Sequence, residues 1–422
     1  MQKIPALKGF HDLLPSRART WRWVEGVAHE IFPSFGFSYI STPILERSEL
    51  FTRSLGTITD IVEKEMYTFE DWDGKKVSLR PEGTASVVRA YLSADGVTTH
   101  PVKYYYMGPM FRHERPQAGR LRQFHQIGAE ILGEGGGRQD VELLSLLSHF
   151  LQKLGIPDGI LEINSLGCSL CRPPYRNRLL TYLQPFLSQL CEDCQRRYHA
   201  NPLRVLDCKQ EHCVEIAFKA PGQVDHLCLP CGDHFKEVEG GLHLLSIPYR
   251  IRPSLVRGLD YYTKTAFEWT INRLGAQSAV AAGGRYDGLI EELGGASTPA
   301  VGFAIGMERL MQLVTEDHAP SCLPLLYIAP LGKSAADYLT PLLFLLRTKG
   351  IYCEMGDDRT PLKHLLKRAD RIGFLNVLIV GEAEMNRGAA ILRNMKTQCQ
   401  ENVLFLGLEE TLLKCFGAEG GI

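Results

Sequence analysis

The pattern of apolar and polar positions divides the chain into regions with different successions of predicted helices and strands. Residues 1–165 and 235–318 share one style, in which helical and extended patterns follow one another. Residues 166–234 interrupt that style, which predicts an insertion within a discontinuous domain. The elements predicted most clearly are extended runs at Ile40 to Ile44, Tyr104 to Met110, Ile127 to Ile131, Ala266 to Ile271 and Ala279 to Ala282, and a helix over Gly302 to Val314.

The last region, residues 324–422, reads as a separate small α/β domain after a polar, proline-containing linker. Short apolar runs alternate there with helical segments, the pattern of a mainly parallel or mixed sheet. One helix start is legible, with Thr360 as N-cap and Pro361 at the first helical position. The strand-like runs are Leu325 to Pro330, Ile351 to Glu354, Val377 to Gly381 and Val403 to Gly407.

Composition narrows the class of protein. The 422 residues are 45% hydrophobic and 23% charged, typical of a globular protein of two or three domains. No apolar run is long enough for a membrane span, and the first residues lack a secretory signal, so we expect a cytoplasmic protein without membrane contact. A net charge of −1 argues against a non-specific DNA binder but allows local basic patches for RNA.

The densest polar segment runs from Phe111 to Gln126 between two strand-like runs, which predicts a hairpin with a polar loop. Its arginines suit phosphate or carboxylate oxygens, and Phe124 offers a face on which a base can stack. Alternation from Phe124 places Gln126 and Glu130 on one face of a strand. A salt-bridged surface hairpin explains these charges equally well from this segment alone.

Further short strings carry polar chemistry beside glycines, although each alone often marks only a tight turn. They are Arg80-Pro-Glu-Gly-Thr84 before an apolar helix, Arg257-Gly-Leu-Asp-Tyr-Tyr262, the glycine-rich loop Gly283-Gly-Arg-Tyr-Asp-Gly288, and Gly302-Phe-Ala-Ile-Gly-Met-Glu-Arg309.

Taken together and in order, these strings resemble the histidyl-tRNA synthetases. Arg112 and the later Gly306-Met-Glu-Arg309 resemble motifs 2 and 3 of the class II aminoacyl-tRNA synthetases, and the stretch from Gly36 to Pro43 is similar to motif 1. The strings beginning at Arg257 and Gly283 look like the two histidine-specific motifs, and Lys8-Gly-Phe-His-Asp-Leu-Leu-Pro15 matches the family's N-terminal signature. The resemblance implies an α+β class II catalytic domain, with a mostly antiparallel sheet flanked by helices, and a C-terminal anticodon-binding domain.

The resemblance also implies a reaction. In this family the carboxylate of histidine attacks the α-phosphate of ATP, pyrophosphate leaves, and the histidyl group passes to the 3' end of tRNA-His. It assigns Arg112 to the carboxylate and α-phosphate, Arg257 to charge on the α-phosphate, and Arg309 to adenine opposite Phe124. Magnesium accompanies the β- and γ-phosphates.

Histidine recognition follows from the same resemblance. An imidazole has two nitrogens, so a selective pocket needs a partner for each. Glu130 and Tyr262 resemble the pair that contacts the imidazole. The resemblance gives the α-amino group to Glu82, Thr84 and Gln126, with Tyr261 and Tyr286 lining the pocket and Arg112 and Arg257 beside the carboxylate.

The tRNA and the subunit interface are assigned by resemblance too. Arg115 and Gln117 lie in the loop that meets the acceptor end of tRNA-His. A helix bearing Lys363 and Arg371 has a basic face suited to phosphates, although a solvated face explains it equally well from the residues alone. The resemblance of the C-terminal domain to an anticodon-binding domain favours a position near RNA. Motif 1 usually builds a homodimer interface in this class.

Eight of the twelve cysteines fall in the insertion, at positions 168, 171, 191, 194, 208, 213, 228 and 231. Spacing of the C-x2-C type predicts structural zinc, one or two ions. Cys168, Cys171, Cys191 and Cys194 could form one site, with Cys208, Cys213, Cys228 and Cys231 forming the other. An interleaved pairing is equally allowed, and His212, His226 or His234 could replace a thiolate. Redox sensing and incidental clustering are alternatives.

Two other classes of protein fit part of these observations. A catalytically silent paralogue that regulates ATP phosphoribosyltransferase shares the catalytic fold, but typically loses the motif arginines and the C-terminal domain. A zinc-bearing nucleic-acid-binding module would explain the cysteines but not the two histidine motifs.

Overall fold

The structure is a computed structural model that describes residues 3–56, 59, 61–94, 101–116, 119–259, 261–277, 279–315 and 325–416. The chain divides into two compact units, Met1–Ala319 and Pro320–Ile422. None of the described helices is both long and apolar enough to cross a membrane.

A large sheet forms the frame of the first unit. The strands of this unit are β1 Ser38–Tyr39, β2 Leu45–Arg47, β3 Thr68–Glu70, β4 Lys76–Leu79, β5 Val102–Phe111, β6 Gln123–Leu132, β7 Ile160–Ser165, β8 Tyr249–Ile251, β9 Thr263–Thr270, β10 Ala279–Arg285 and β11 Ala300–Gly306. Eight of them lie in the order β1-β5-β6-β11-β10-β9-β7-β8, and β2-β4-β3 form a smaller sheet. The pairs β1–β5 and β7–β8 are parallel and the other described pairs of the large sheet are antiparallel, so the predicted sheet is confirmed.

Helices surround this sheet. Those of the first unit are α1 Pro15–Ser34, α2 Ser48–Leu55, α3 Thr84–Ser93, α4 Gly137–Lys153, α5 Arg172–Leu183, α6 Glu192–Ala200, α7 Glu211–Phe218, α8 Leu229–Leu244, α9 Leu289–Glu292 and α10 Met307–Leu310. A π-helical turn covers Ile61–Glu65, and short 3-10 helices lie at Gln184–Gln189, Pro202–Asp207, Gln223–His226 and Asn272–Gln277.

The main core lies between one face of the sheet and helices α1 and α4. Phe32 of α1 and Phe150 of α4 are fully buried, with ring centroids 5.4 Å apart, and Phe32 lies 6.2 Å from Phe303 of β11. On β6, Ile127 and Ile131 point into this core. Strand alternation therefore turns the neighbouring positions of β6 to the opposite, polar face of the sheet.

The second unit is a mixed α/β domain, as predicted. Its elements are β12 Leu326–Pro330, α11 Lys333–Thr348, β13 Cys353–Met355, α12 Leu362–Ile372, β14 Asn376–Val380, α13 Glu382–Arg387, β15 Ala389–Asn394, β16 Gln400–Leu404 and α14 Leu408–Phe416. The sheet order is β13-β12-β14-β15-β16, parallel on the β13 side and antiparallel from β14 onward.

Several predicted elements differ from the observed ones. Ile40 to Ile44 is not a strand, because β1 ends at Tyr39 and β2 begins at Leu45. The N-cap of α12 is Pro361 rather than Thr360, whose backbone N–H donates to Asp357 in the preceding turn. The last predicted strand begins earlier, at Gln400, and ends at Leu404. Sequence analysis missed β15.

The helix predicted over Gly302 to Val314 is wrong in its first part. Residues Ala300–Gly306 form strand β11, which pairs with β6 and β10, and the helix begins at Met307. A Cβ atom at Gly302 would lie 1.5 Å from Oε2 of Glu130, and one at Gly283 would lie 2.1 Å from the carbonyl oxygen of Gly302. These glycines serve close strand contacts, and Gly283 to Arg285 belong to β10 rather than to a loop.

Candidate active site

A cavity of about 330 Å³ lies on the polar face of the large sheet. Segments far apart in sequence converge there because antiparallel pairing places β6, β9, β10 and β11 side by side. The predicted site residues that line the cavity are Glu82, Thr84, Arg112, Phe124, Gln126, Arg257, Tyr261, Tyr262 and Arg309.

Glu82 lies at the start of helix α3. Its two carboxylate oxygens accept hydrogen bonds from the backbone N–H groups of Thr84 and Ala85, at 2.7 and 2.8 Å. Burial raises the pKa of Glu82, while these two donors act in the opposite direction. The preceding turn is anchored by Arg80, which donates to the carbonyl oxygens of Thr42 and Pro109 at 2.9 Å each. The carboxylate is therefore fixed before any ligand binds.

Glu130 lies behind the cavity wall and is fully buried. Thr84 Oγ1 donates to its Oε1 at 2.7 Å and the hydroxyl of Tyr286 donates to its Oε2 at 2.5 Å. Burial is the main cause that raises the pKa of Glu130 to about 8; the nearby Glu82 carboxylate acts in the same direction, and the hydrogen bonds from Tyr286 and Thr84 act in the opposite direction. The carboxyl group is thus poised to change protonation state close to neutral pH.

Three tyrosines pack together beside Glu130. The ring centroids of Tyr261 and Tyr262 are 4.6 Å apart, and those of Tyr261 and Tyr286 are 5.7 Å apart. Burial raises the pKa of each of these phenols. They therefore remain neutral hydroxyl groups, able both to donate and to accept a hydrogen bond.

Arg112 is held at the end of β5. Its Nε donates to the carbonyl oxygen of Pro81 at 2.8 Å, and its guanidinium lies 5.2 Å from the centroid of the Phe124 ring. The Glu114 carboxylate is 3.8 Å away. Stacking and one hydrogen bond orient the guanidinium plane and leave its other donors directed to the cavity region.

Arg257 is oriented by a carboxylate and an aromatic ring. Its Nη1 donates to Oε1 of Glu268 at 2.8 Å, and its guanidinium lies 5.4 Å from the centroid of the Tyr262 ring. Its Nε is buried and has no hydrogen-bond partner among the described residues. Gln126 Oε1, which also belongs to the cavity lining, is likewise buried without a partner in the described part of the chain. Since such groups are costly to leave unpaired, both are suited to ligand atoms.

Arg309 extends from α10 across the edge of β10. Its Nη1 donates to the carbonyl oxygen of Ala279 at 2.8 Å, and its Nε donates to that of Gly119 at 3.4 Å. Burial is the main factor that lowers the pKa of Arg309. The side chain borders the same cavity as Phe124.

No role was predicted from the sequence for two carboxylates that line the cavity, Glu268 and Glu308. Glu268 accepts hydrogen bonds from Arg257 and, at 2.9 Å, from Arg252. Glu308 accepts from the backbone N–H of His125 at 3.0 Å. A charged residue within the otherwise apolar run from Ala266 to Ile271 was a usable signal for Glu268.

Of the two residues assigned to the acceptor end of tRNA, the structure describes one. Arg115 is exposed in the segment between β5 and β6. Gln117 lies outside the described residues.

The eight cysteines of the insertion form two groups of four, all with free thiols. The proximal cluster is Cys168, Cys171, Cys228 and Cys231, and the distal cluster is Cys191, Cys194, Cys208 and Cys213. Within each cluster the sulphur atoms all lie within 4.8 Å of one another. The structure therefore adopts an interleaved pairing, in which the distal cysteines are nested between the two halves of the proximal cluster.

None of the histidines considered as replacement ligands belongs to either cluster within the described residues. His234 instead lies on α8 and hydrogen-bonds to the buried Asp140 and to Thr265, at 2.9 and 3.1 Å. Asp140 also pairs with the fully buried Arg285, next to Tyr286, at 2.5 Å. Helix α8 thus connects the insertion to the frame of the cavity.

The fold and this cavity define a class II aminoacyl-tRNA synthetase. A family model for histidyl-tRNA synthetase matches residues 9–168 and 230–310, and an anticodon-binding domain model matches residues 326–414. The chain belongs to the histidyl-tRNA synthetase family.

Individual relatives agree with this assignment. The chain is 48% identical to the histidine–tRNA ligase of Syntrophotalea carbinolica, over 97% of this chain and 98% of the relative. It is 49% identical to that of Geobacter sulfurreducens, over 95% of this chain and 97% of the relative. The crystal structure of apo histidyl-tRNA synthetase from S. aureus superposes with a TM-score of 0.80 at 34% identity, covering 97% of this chain and 99% of that one. Full-length similarity to ligases does not favour a regulatory subunit.

Proposed function

We propose that the cavity activates L-histidine with ATP and then esterifies it onto tRNA-His. The observation that carries this proposal is the pair of unpartnered buried atoms in one cavity, the acceptor Gln126 Oε1 and the donor Arg257 Nε. An amino-acid ammonium group needs an acceptor, and a phosphate oxygen needs a donor. Histidine and ATP together supply both.

In this proposal the imidazole is read by Glu130 and Tyr262. Each oxygen of Glu130 already accepts one hydrogen bond, and each has a second lone pair for an incoming N–H group. Glu82, Thr84 and Gln126 hold the α-amino group. A pocket built from buried hydrogen-bonding groups rejects analogues that lack the matching atoms.

Tyr261 lines the cavity, whereas Tyr286 is buried outside its lining, and the two support the pocket in different ways. Tyr286 donates to Glu130 and so keeps the carboxylate in place, while Tyr261 packs between the other two phenols.

The arginines are assigned to the reaction itself. One carboxylate oxygen of histidine attacks the α-phosphorus of ATP, a new P–O bond forms, and the bond to the β-phosphate oxygen breaks to release pyrophosphate. Arg112 holds the carboxylate and the α-phosphate in line, and Arg257 neutralises charge that develops on the α-phosphate. Arg309 and Phe124 enclose the adenine ring.

Magnesium is proposed to enter with the β- and γ-phosphates of ATP. The carboxylates of the cavity already have protein partners: Glu82 has backbone N–H groups, Glu114 has Arg120 at 3.2 Å, Glu268 has two arginines, and Glu308 has His125. We therefore assign no magnesium ligand to the chain and no step to the ion.

Two separate sets of contacts with tRNA are proposed. Arg115 and Gln117 meet the acceptor end, and the C-terminal domain binds the anticodon. In α12 the side chains of Lys363, Lys367 and Arg371 are exposed, which suits a phosphate backbone. Unstacked anticodon bases can be read by stacking and edge hydrogen bonds.

We propose that the chain forms a homodimer and that the motif 1 segment lies in the subunit interface. Three apolar side chains near it, Tyr39, Ile44 and Leu45, are 49%, 42% and 47% exposed. A second subunit would remove them from water.

The insertion is proposed to hold structural zinc rather than a catalytic ion. Each cluster offers four thiolates, which close the coordination shell and leave no open position for a substrate. The reaction at the cavity needs no further metal from the chain.

Amino-acid-dependent ATP–pyrophosphate exchange tests the proposed function. Among the standard amino acids, we expect only histidine to stimulate exchange, and we expect the product of the second step to be histidyl-tRNA. Exchange that is stimulated by another amino acid, or by none, would contradict the proposal.

A further inference from the structure

The sulphur positions in both clusters have the spacing of a metal site. The pairs Cys168–Cys171, Cys168–Cys228 and Cys191–Cys208 have Sγ–Sγ distances of 3.7, 3.8 and 3.8 Å. A disulfide needs about 2.05 Å. Four thiolates around zinc at about 2.3 Å in a tetrahedron have neighbouring sulphurs about 3.8 Å apart. The clusters therefore match zinc coordination and not oxidised cysteine pairs.

Backbone donors support the same conclusion. The N–H of Cys228 donates to Sγ of Cys171 at 3.1 Å, and the N–H of Cys191 donates to Sγ of Cys213 at 3.3 Å. Metal ligands are generally held by such outer hydrogen bonds. Gly167 has φ +64°, and a Cβ atom there would lie 2.6 Å from Cβ of Cys171, so the chain approaches the proximal cluster too closely for another residue.

The proximal cluster closes the base of the insertion. Cys168 follows strand β7 and Cys231 lies in α8, so an ion here joins the two points where the chain leaves and re-enters the catalytic frame. The segment that the histidyl-tRNA synthetase model does not match, residues 169–229, begins and ends at this cluster. The distal cluster is nested inside that segment, so its loss leaves the base joined.

The same base is bonded to the histidine pocket. Arg172, the residue after Cys171, donates through its guanidinium to the carbonyl oxygen of Tyr262. Two backbone bonds run alongside: Leu166 N–H to the carbonyl oxygen of Lys264 at 2.6 Å, and Lys264 N–H to that of Gly167 at 2.9 Å. Lys264 has φ 46°, a left-handed conformation that a non-glycine residue adopts only when its surroundings hold it.

We propose that each cluster binds one zinc ion and that the proximal ion, through Gly167 and Arg172, fixes the backbone of Tyr262 in the histidine pocket and of Lys264 next to it. Arg172 is then a positioning residue, since it acts through Tyr262 and does not touch the substrate. This inference rests on the proposed function, because that function assigns Tyr262 to the imidazole.

Zinc content of the purified full-length protein tests the metal half directly. Elemental analysis by mass spectrometry is expected to give two zinc ions per chain for the wild type, and one for either Cys168→Ser or Cys191→Ser. Arg172→Ala is expected to retain both ions. A wild-type chain without zinc, or single variants that lose no zinc, would overturn this half whatever the enzymatic activity.

Kinetics of exchange test the link to the pocket. We expect the KM for histidine to rise by roughly tenfold in Cys168→Ser and in Arg172→Ala, with the KM for ATP little changed. Cys191→Ser is the matched control, with a histidine KM close to that of the wild type. If Cys168→Ser fails to fold, Arg172→Ala alone decides the link. Equal KM effects of Cys168→Ser and Cys191→Ser, or an unchanged KM in Arg172→Ala, would overturn it.

Failure of the proposed function gives a different result. In that case the wild type shows no histidine-dependent exchange, while zinc content still reports on the two clusters.

Discussion

The cavity and the cysteine-rich insertion achieve order in different ways. In the cavity, polar side chains from distant segments bond directly to one another, as Thr84 and Tyr286 do to Glu130. In the insertion, the eight thiols form two groups of four, and the sulphur atoms within each group lie at distances suited to one ion between them. The cavity is thus organised by the sheet, and we propose that the insertion is organised by the zinc ions that its cysteines bind. Substitutions in the first should change function, and substitutions in the second should change structure and then function.

The largest predicted effect is on stability, at the buried contacts of Asp140 with Arg285 and His234, which join helix α8 to the sheet behind the cavity. Asp140 is fully buried and pairs with Arg285 and His234, so Asp140→Asn removes the buried carboxylate from Arg285 and leaves it with the less buried Asp287 carboxylate at 3.0 Å. We expect the free energy of unfolding to fall by about 3–5 kcal/mol, measured by urea denaturation of the full chain. Asp158→Asn is the control, because its pair with Arg273 is about half exposed and should contribute about 1 kcal/mol or less. Similar losses in both variants would argue against a frame held by the buried pair.

Removing a cavity arginine should reduce turnover without unfolding the chain. Arg257→Ala takes away a preoriented donor, so we expect exchange to fall by roughly 10²–10³-fold, with an unchanged melting temperature. Exposed Arg273→Ala provides the comparison and should retain full exchange. If Arg257→Ala keeps most of its activity, the arginine does not stabilise charge in the transition state.

A smaller effect should appear in the pH dependence of histidine binding. The pKa of Glu130 is raised to about 8 mainly by burial, with a further contribution from the Glu82 carboxylate, so the acceptor form is scarce at pH 7 and half populated at pH 8. The imidazole N–H needs that form, and histidine affinity should therefore rise by roughly fivefold from pH 7 to pH 8.

Calorimetric titration measures this dependence, with Glu130→Gln as the reference for histidine's own titration. The rise should vanish in Glu130→Gln. An equal rise in both proteins would assign the pH dependence to the ligand rather than to Glu130.

The smallest predicted effect belongs to neither region. Arg115 is exposed beside the cavity, so Arg115→Ala should leave exchange unchanged and weaken tRNA binding modestly. The slope of log affinity against log salt should fall by about one if this arginine meets a phosphate. Filter binding across a salt series measures the slope, and an unaltered slope would remove Arg115 from the tRNA contact.

The sequence predicted the residues of the cavity better than the elements that carry them. Arg112, Gln126 and Arg257 stand in motifs whose residue types match a chemical task, whichever element carries them. The helix predicted from Gly302 was wrong because an apolar, glycine-bearing strand and a helix start have similar patterns. The glycine at position 302 is explained by the Glu130 side chain on the neighbouring strand β6, which occupies the space that a Cβ atom would need.

The pairing of the cysteines could not be predicted at all. The C-x2-C spacing indicates ligands, but several groupings of eight cysteines satisfy it equally. The nested arrangement depends on β7 and α8 returning to the same place, which is a property of the whole fold. Glu268 was missed for a related reason, since its role depends on the segment between β8 and β9 folding back so that Arg257 reaches Glu268 on β9.

The central claim is that Glu130 makes this cavity specific for histidine. Histidine-dependent ATP–pyrophosphate exchange by Glu130→Ala tests it most directly, with circular dichroism melting to verify that the variant is folded. If Glu130 binds the imidazole, a folded Glu130→Ala variant loses histidine-dependent exchange. Exchange that persists with near-wild-type affinity for histidine would contradict the assignment of the pocket.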